Sequence, residues 1–272
     1  MATRTIGSVE TKVGASTQSI RSAEAKVGNF YVWMAAAIAA FAFAAFAPTY
    51  WLQVPAGTFV GTPLVHIHSA VFSAWTVFLV WQSYLAANGR IRDHRAWGMA
   101  GIGLATAVFI LGTAAAIASL KFRMAVGSAD TARSSLIVAM TNMLLFGGFF
   151  VAAMINAKRS ETHRRLILLA TISLLPAAIS RVTYFMAKGS GPGLRPTLGP
   201  ALPVVKQLMP HLLVVGVFIL ADILYDWRTR DRPHPAWLIG AAVIATSFFL
   251  RAPLGDTALW QGFAEASAHI AG

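Results

Sequence analysis

The chain has 272 residues, 57% hydrophobic and only 12% charged. A soluble domain carries roughly 25% charge, so this chain cannot cover a water-facing surface with polar groups and a lipid-facing fold is expected. The net charge of +12 would suit nucleic acid, but Lys and Arg fall in short clusters between long apolar runs, as topology signals do. No basic patch is interleaved with aromatics on a soluble module, so a nucleic-acid partner is excluded.

Residues 1–28 are rich in Ser, Thr and Gly with mixed charge and read as a cytoplasmic tail, disordered or weakly amphipathic. Seven apolar runs follow, at about 30–50, 64–87, 96–120, 135–157, 166–188, 203–226 and 236–251. Most are near the roughly 20 residues that a helical span needs. They predict an all-α polytopic bundle over 29–254, embedded in the lipid of a bacterial inner membrane. The first run ends Ala45-Phe46-Ala47, which mimics a signal-peptidase site, but Pro48 follows and the run is long for a signal segment, so it counts as a span. Pro176 and Pro210 lie inside spans and should kink them. The Gly/Pro-rich stretch 189–203 reads as an outer loop. Residues 255–272 read as an amphipathic tail on the outer surface, with Trp260 and Phe263 toward lipid. Lys and Arg are more than twice as frequent on the N-terminal side of the membrane. That bias puts the N-terminus inside and, with an odd number of spans, the C-terminus outside.

There is no Cys, which removes disulfides, thiolate metal sites, iron–sulfur clusters and covalent c-type haem attachment. A bound metal must rely on His, carboxylate or Met. Polar groups inside a membrane are costly and face the bundle. His66 and His68 in the second span, Asn142 in the fourth, His211 with Gln207 in the sixth, and Arg181 with Tyr184 late in the fifth converge on the outer leaflet. At about 100° per residue, His66 and His68 point about 200° apart, so a regular helix cannot offer both to one ion. His66 heads a small polar stripe, Ser69, Ser73, Thr76 and Ser83, suited to close helix packing. His68 heads Phe72, Trp75, Leu79 and Gln82, a stripe that would wall a flat cofactor or face lipid. Asp222 shares the His211 face nearer the inner side, where it can pair with an Arg. His94 and His163 each open a helix at the inner side and are each followed by Arg, a weak internal repeat. They read as interfacial anchors, as ligands of a second cofactor, or as contacts to anionic headgroups.

The stretch HIHSAVFSAWTVFLVWQSYLAANGRIRDHRAWG from His66 to Gly98, together with THRRLILLATISLL at 162–175, resembles uncharacterised bacterial multi-pass membrane proteins. Those carry a His in an apolar helix and then a basic turn with His-Arg-x-x-Gly opening the next. The resemblance implies a multi-pass fold and assigns no role. Rhodopsins also have seven spans, but the last run here has no Lys for a retinal Schiff base.

Two functions follow as expectations. The first is redox or cofactor binding. A b-type haem would sit between His68 and His211, with Phe72 and Trp75 beside the ring and Arg181 or Lys206 at the propionates. A second haem on His94 and His163 would complete an electron path. Zinc or copper on His66 or His68 with His211 is the metal alternative. The second function needs no cofactor. The chain would be a transporter, assembly factor or structural subunit of a membrane-protein complex or homo-oligomer, its His residues serving as interhelical hydrogen-bond partners. No nucleophile–base pair, phosphate loop or paired carboxylate cluster points to hydrolysis.

Overall fold

The computed structural model describes residues 28–188 and 202–270. All but the last residue of the expected tail over 1–28, and most of the expected loop over 189–203, lie outside the described residues. Among the described residues every regular element is helical. In chain order they are α1 (Gly28–Trp51), α2 (Pro63–Ala87), α3 (Ile91–Ala125), α4 (Ala129–Ile155), α5 (Ser160–Ile172), α6 (Leu175–Lys188), α7 (Val204–Arg230), α8 (Pro235–Gly255) and α9 (Ala258–Ile270). α5 and α6 share one span, Ser160–Ala187, so seven segments are long and apolar enough to cross a membrane. This is the seven-span all-α bundle that the apolar runs predict.

Several helices outrun their apolar cores. α3 begins at Ile91 and continues to Ala125, 35 residues in all. Hydropathy marks where lipid is, whereas a helix ends where the backbone is forced out of its conformation. Here that happens at Gly89 (φ +71°) and Gly127 (φ +85°), left-handed positions that favour glycine. α7 stops the same way at Asp231 (φ 59°), whose N–H still reaches the Trp227 carbonyl.

Pro176 breaks the fifth span outright. It has no N–H for the Ile172 carbonyl, so the ladder tightens. Leu174 N donates to Thr171 O at 3.0 Å and Ala177 N to Leu174 O at 3.2 Å, both three-residue steps. Pro210 leaves α7 continuous.

The α5–α6 rod is the most buried of the spans. Leu168, Leu169, Ile172, Leu175 and Ile179 pack with Ile38 of α1, Val215 and Ile219 of α7, and Trp237 and Ile244 of α8. Gly240 lets α8 come close, since a Cβ there would run into Leu169. On the other side Trp75 of α2, Val108 of α3 and Phe146 of α4 form a second layer, tied to the rod by Trp75 Nε1 donating to Thr171 Oγ1 at 3.2 Å. Large apolar side chains such as Val77, Leu144, Val217 and Phe249 remain exposed on the outside of the bundle, where lipid would meet them.

α9 folds back over α3 and α4. Trp260, expected toward lipid, is partly buried. Its ring packs beside Leu136 and Val204, and its indole N–H donates to the Arg133 carbonyl at 2.9 Å. A buried indole N–H needs such a partner. Phe263 is half exposed.

Candidate functional site

Ten of the 17 Lys and Arg among the described residues lie in or beside the turns after α2, α4 and α7, and that face is called the basic end. Toward the opposite end, α1, α2, α3, α4 and α6 surround a cavity of about 630 Å³. Binding pockets for small molecules and cofactors run about 300–1,000 Å³. Ile38, Phe43, Phe46, Phe72 and Met143 give it an apolar wall, and Gly61 and Leu202 bring the connecting segments into its lining. Gly112 widens it, because a Cβ there would collide with Met143 and press on Phe72.

The polar groups on this wall are unevenly charged. His68, Arg123, Arg181, Asn142 and Tyr184 line it, and no Asp or Glu is among the described lining residues. Arg181 sits over the Phe46 ring at 5.6 Å, within electrostatic reach of Arg123 and Tyr184. Among the described residues it has no hydrogen bond and no ion pair. Arg181 is partly accessible from the cavity, and a cation held away from bulk water gains from a counter-charge. The arrangement can therefore accept an anion or a strongly accepting oxygen.

The two His of α2 diverge, as their spacing requires. His68 lies on the cavity wall, its ring 4.1 Å from that of Phe72. His66 is exposed, 2.9 Å from the Tyr50 hydroxyl and packed on Phe59. Trp75, Leu79 and Gln82, on the His68 stripe, are buried and face the bundle. Ser69, Ser73 and Thr76 line the cavity instead of packing against a neighbouring helix. The hydroxyls of Ser73 and Thr76 are spent within the helix, Ser73 Oγ on Ser69 O at 2.6 Å and Thr76 Oγ1 on Ser73 O at 2.9 Å.

His68 and His211 are not brought together. His211 is buried on α7, 3.2 Å from Ser180 Oγ and beside the Phe248 ring. It also approaches the Pro176 carbonyl, so it occupies the break between α5 and α6. Asn142 joins two regions. It lines the cavity, yet its Oδ1 accepts from Arg251 Nη2 at 2.6 Å. Arg251 Nε donates to Thr141 Oγ1 at 2.8 Å, and its Nη1 is buried with no hydrogen bond.

Arg251 is the residue that sequence reasoning missed. It ends the last apolar run, where it looks like a boundary charge, but it is only 2% exposed and stands inside α8. Arg123 was missed in the same way and lines the cavity. The signal available was the polar pair Thr141-Asn142 at similar depth in another span, which a charge at the edge of an apolar run could reach.

At the basic end, the carboxylate that pairs with an Arg is Asp226, not Asp222. Arg165 and Asp226, both fully buried, form a two-pronged ion pair, with Arg165 Nε on Asp226 Oδ2 at 2.9 Å. Glu161 adds a second carboxylate to Arg165 at 2.8 Å and also meets Arg164 and Arg230. Asp222 is one turn away, 1% exposed, and neither of its oxygens has a hydrogen bond. Nearby, His94 of α3 and His163 of α5 stand with ring centroids 6.3 Å apart.

Comparison with protein-family models, curated proteins and solved structures returns no match. The fold itself defines the class: the chain is a multi-pass helical membrane protein of seven apolar spans, with a cationic cavity toward one end of the bundle.

Proposed function

We propose that the chain holds a lipophilic ligand with an anionic or strongly accepting head in the cavity between α1, α2, α3, α4 and α6, with b-type haem as the first candidate. One observation carries this reading. Arg181 lines an apolar chamber with no hydrogen bond or ion pair among the described residues, and no described carboxylate lines that chamber. The apolar wall suits the body of such a ligand, and Arg181 with Arg123 suits its head. For haem, His68 supplies the imidazole and the two arginines would meet the propionates. A bound haem would add one-electron redox chemistry. His211 is not among the described residues of this wall, so His68 is the imidazole that would hold the group. In this reading the basic end is cytoplasmic, by the positive-inside rule, and the cavity opens toward the outer face of a bacterial inner membrane. The connecting segments that line the cavity at Gly61 and Leu202 also support a second reading, a carrier or assembly factor that passes the same ligand on.

The test is the visible spectrum and bound-lipid content of the detergent-purified protein, expressed with ample haem supply. A stoichiometric haem spectrum weakened by His68→Ala and by Arg181→Gln is the expected result. Native mass spectrometry showing an anionic lipid displaced by Ala115→Trp would keep the cavity and replace the haem. A colourless protein with no retained ligand, unchanged by filling the cavity, sinks the reading.

A further inference from the structure

A second site lies at the basic end, away from the cavity. His94 sits in the first turn of α3 and His163 in the first turn of α5. The internal repeat thus brings its two His-Arg pairs side by side, with the rings 84° apart in plane. His163 Nδ1 is 2.9 Å from the Ala153 carbonyl. A carbonyl can only accept, so Nδ1 carries the proton and donates. The neutral ring then keeps its lone pair on Nε2, the arrangement seen in metal-bound histidines whose second nitrogen is fixed by a carbonyl. His94 Nδ1 is buried with no hydrogen bond, and so are both amide atoms of Gln82, whose backbone carbonyl lies against the His94 ring. Buried orphans of this kind call for a partner that the chain does not supply.

We infer that His94 and His163 hold a single transition-metal ion between α3 and α5, copper(I) ahead of zinc. The ring spacing bears on the geometry. With a metal–nitrogen bond of about 2.0 Å and a centroid about 1.15 Å behind the nitrogen, two imidazoles on opposite sides of an ion have centroids about 6.3 Å apart, and two in a tetrahedral site about 5.1 Å. The observed separation of 6.3 Å leaves room for an ion between the rings and is wider than a tetrahedral pair would need. Among the described residues no third His, Cys or carboxylate completes a group, which leaves a tetrahedral zinc site short of ligands. Arg95 is within electrostatic reach of His94 and opposes added positive charge, again favouring a monovalent ion. Gln82, with its free amide oxygen, is the available extra donor.

The experiment uses the full chain in detergent, loaded separately with copper(I) and with Zn²⁺ and then desalted, with metal measured by mass spectrometry. One equivalent of copper is expected in the wild type and in His68→Ala, with at least a tenfold weaker affinity in His94→Gln and in His163→Gln. X-ray absorption on the loaded wild type should show two nitrogen neighbours and does not depend on how the variants fold. Metal that survives both substitutions, or is lost with His68→Ala, overturns the assignment. So does a haem spectrum that vanishes with His94→Gln, since the rings would then be haem ligands. Because the cavity reading is tested through His68 and Arg181, the two can fail separately.

Discussion

Replacing Asp226 with Asn should destabilise the protein far more than the same change at Asp222, one turn away. Arg165 and Asp226 are both 0% exposed. Removing one charge of such a pair leaves the other buried and uncompensated, at a cost of about 3–5 kcal/mol. Glu161 still meets Arg165 after the change, but it is 37% exposed, and its contribution is screened by solvent. Asp226 Oδ2 also accepts from the His234 backbone N–H at 3.0 Å, a bond that Asn can keep. A loss of about 3 kcal/mol is therefore expected for Asp226→Asn, the lower end of that range. Asp222 has no hydrogen bond to lose, so Asp222→Asn should stay within about 0.5 kcal/mol of wild type. Intrinsic tryptophan fluorescence during denaturant titration in a fixed detergent reads both. The double change Arg165→Met/Asp226→Leu should recover most of the loss, because a packed apolar pair replaces a buried ionic one at little cost. Equal destabilisation by the two Asn variants, or a neutral Asp226→Asn, would refute the reasoning.

His234 accepts the Ala236 N–H through Nδ1 at 3.1 Å, and burial together with the nearby Arg165 holds its pKa below the usual imidazole range. A group with a depressed folded-state pKa of this kind stabilises fully above its unfolded value, about 6.5, and loses that contribution as pH falls below it. Melting temperature should drop between pH 7 and pH 5, and less so in His234→Asn, which keeps a capping side chain. Asn142→Ala removes the Arg251 Nη2 partner and should cost about 1.5–3 kcal/mol, measured by the same titration; an unchanged midpoint would show that Thr141 alone suffices. Gly240→Val pushes a side chain into Leu169 and should cost about 1–3 kcal/mol. A reporter fused after residue 272 should be active outside the cytoplasm, and activity only inside would reverse the proposed orientation.

The spans were legible because lipid imposes one requirement on every helix, and the apolar runs record it directly. Helix ends were less so, since Gly89 and Gly127 act through backbone geometry that hydropathy does not weigh. The break at Pro176 was visible in the sequence as a kink, though not as a full interruption. The divergence of His66 and His68 followed from helical angles alone. The company His211 keeps did not, because it depends on how α7 is rotated against α6. Asp222 and Asp226 differ by one turn on one helix, and only the placement of Arg165 on α5 decides which of them is paired. Arg251 is not singled out by the sequence because a charge at the end of an apolar run looks the same whether it snorkels to water or turns inward to Asn142.

The interruption between α5 and α6 divides the most buried rod into bodies of 13 and 14 residues that are secured differently. The α5 half is clamped by Arg165 to α7. The α6 half carries Arg181 on the cavity wall and is held to α7 through Ser180 and His211. The cavity wall is therefore fixed to α7 by one neutral hydrogen bond and by the apolar packing of Leu175 and Ile179, whereas the basic end of the same span is fixed by charge.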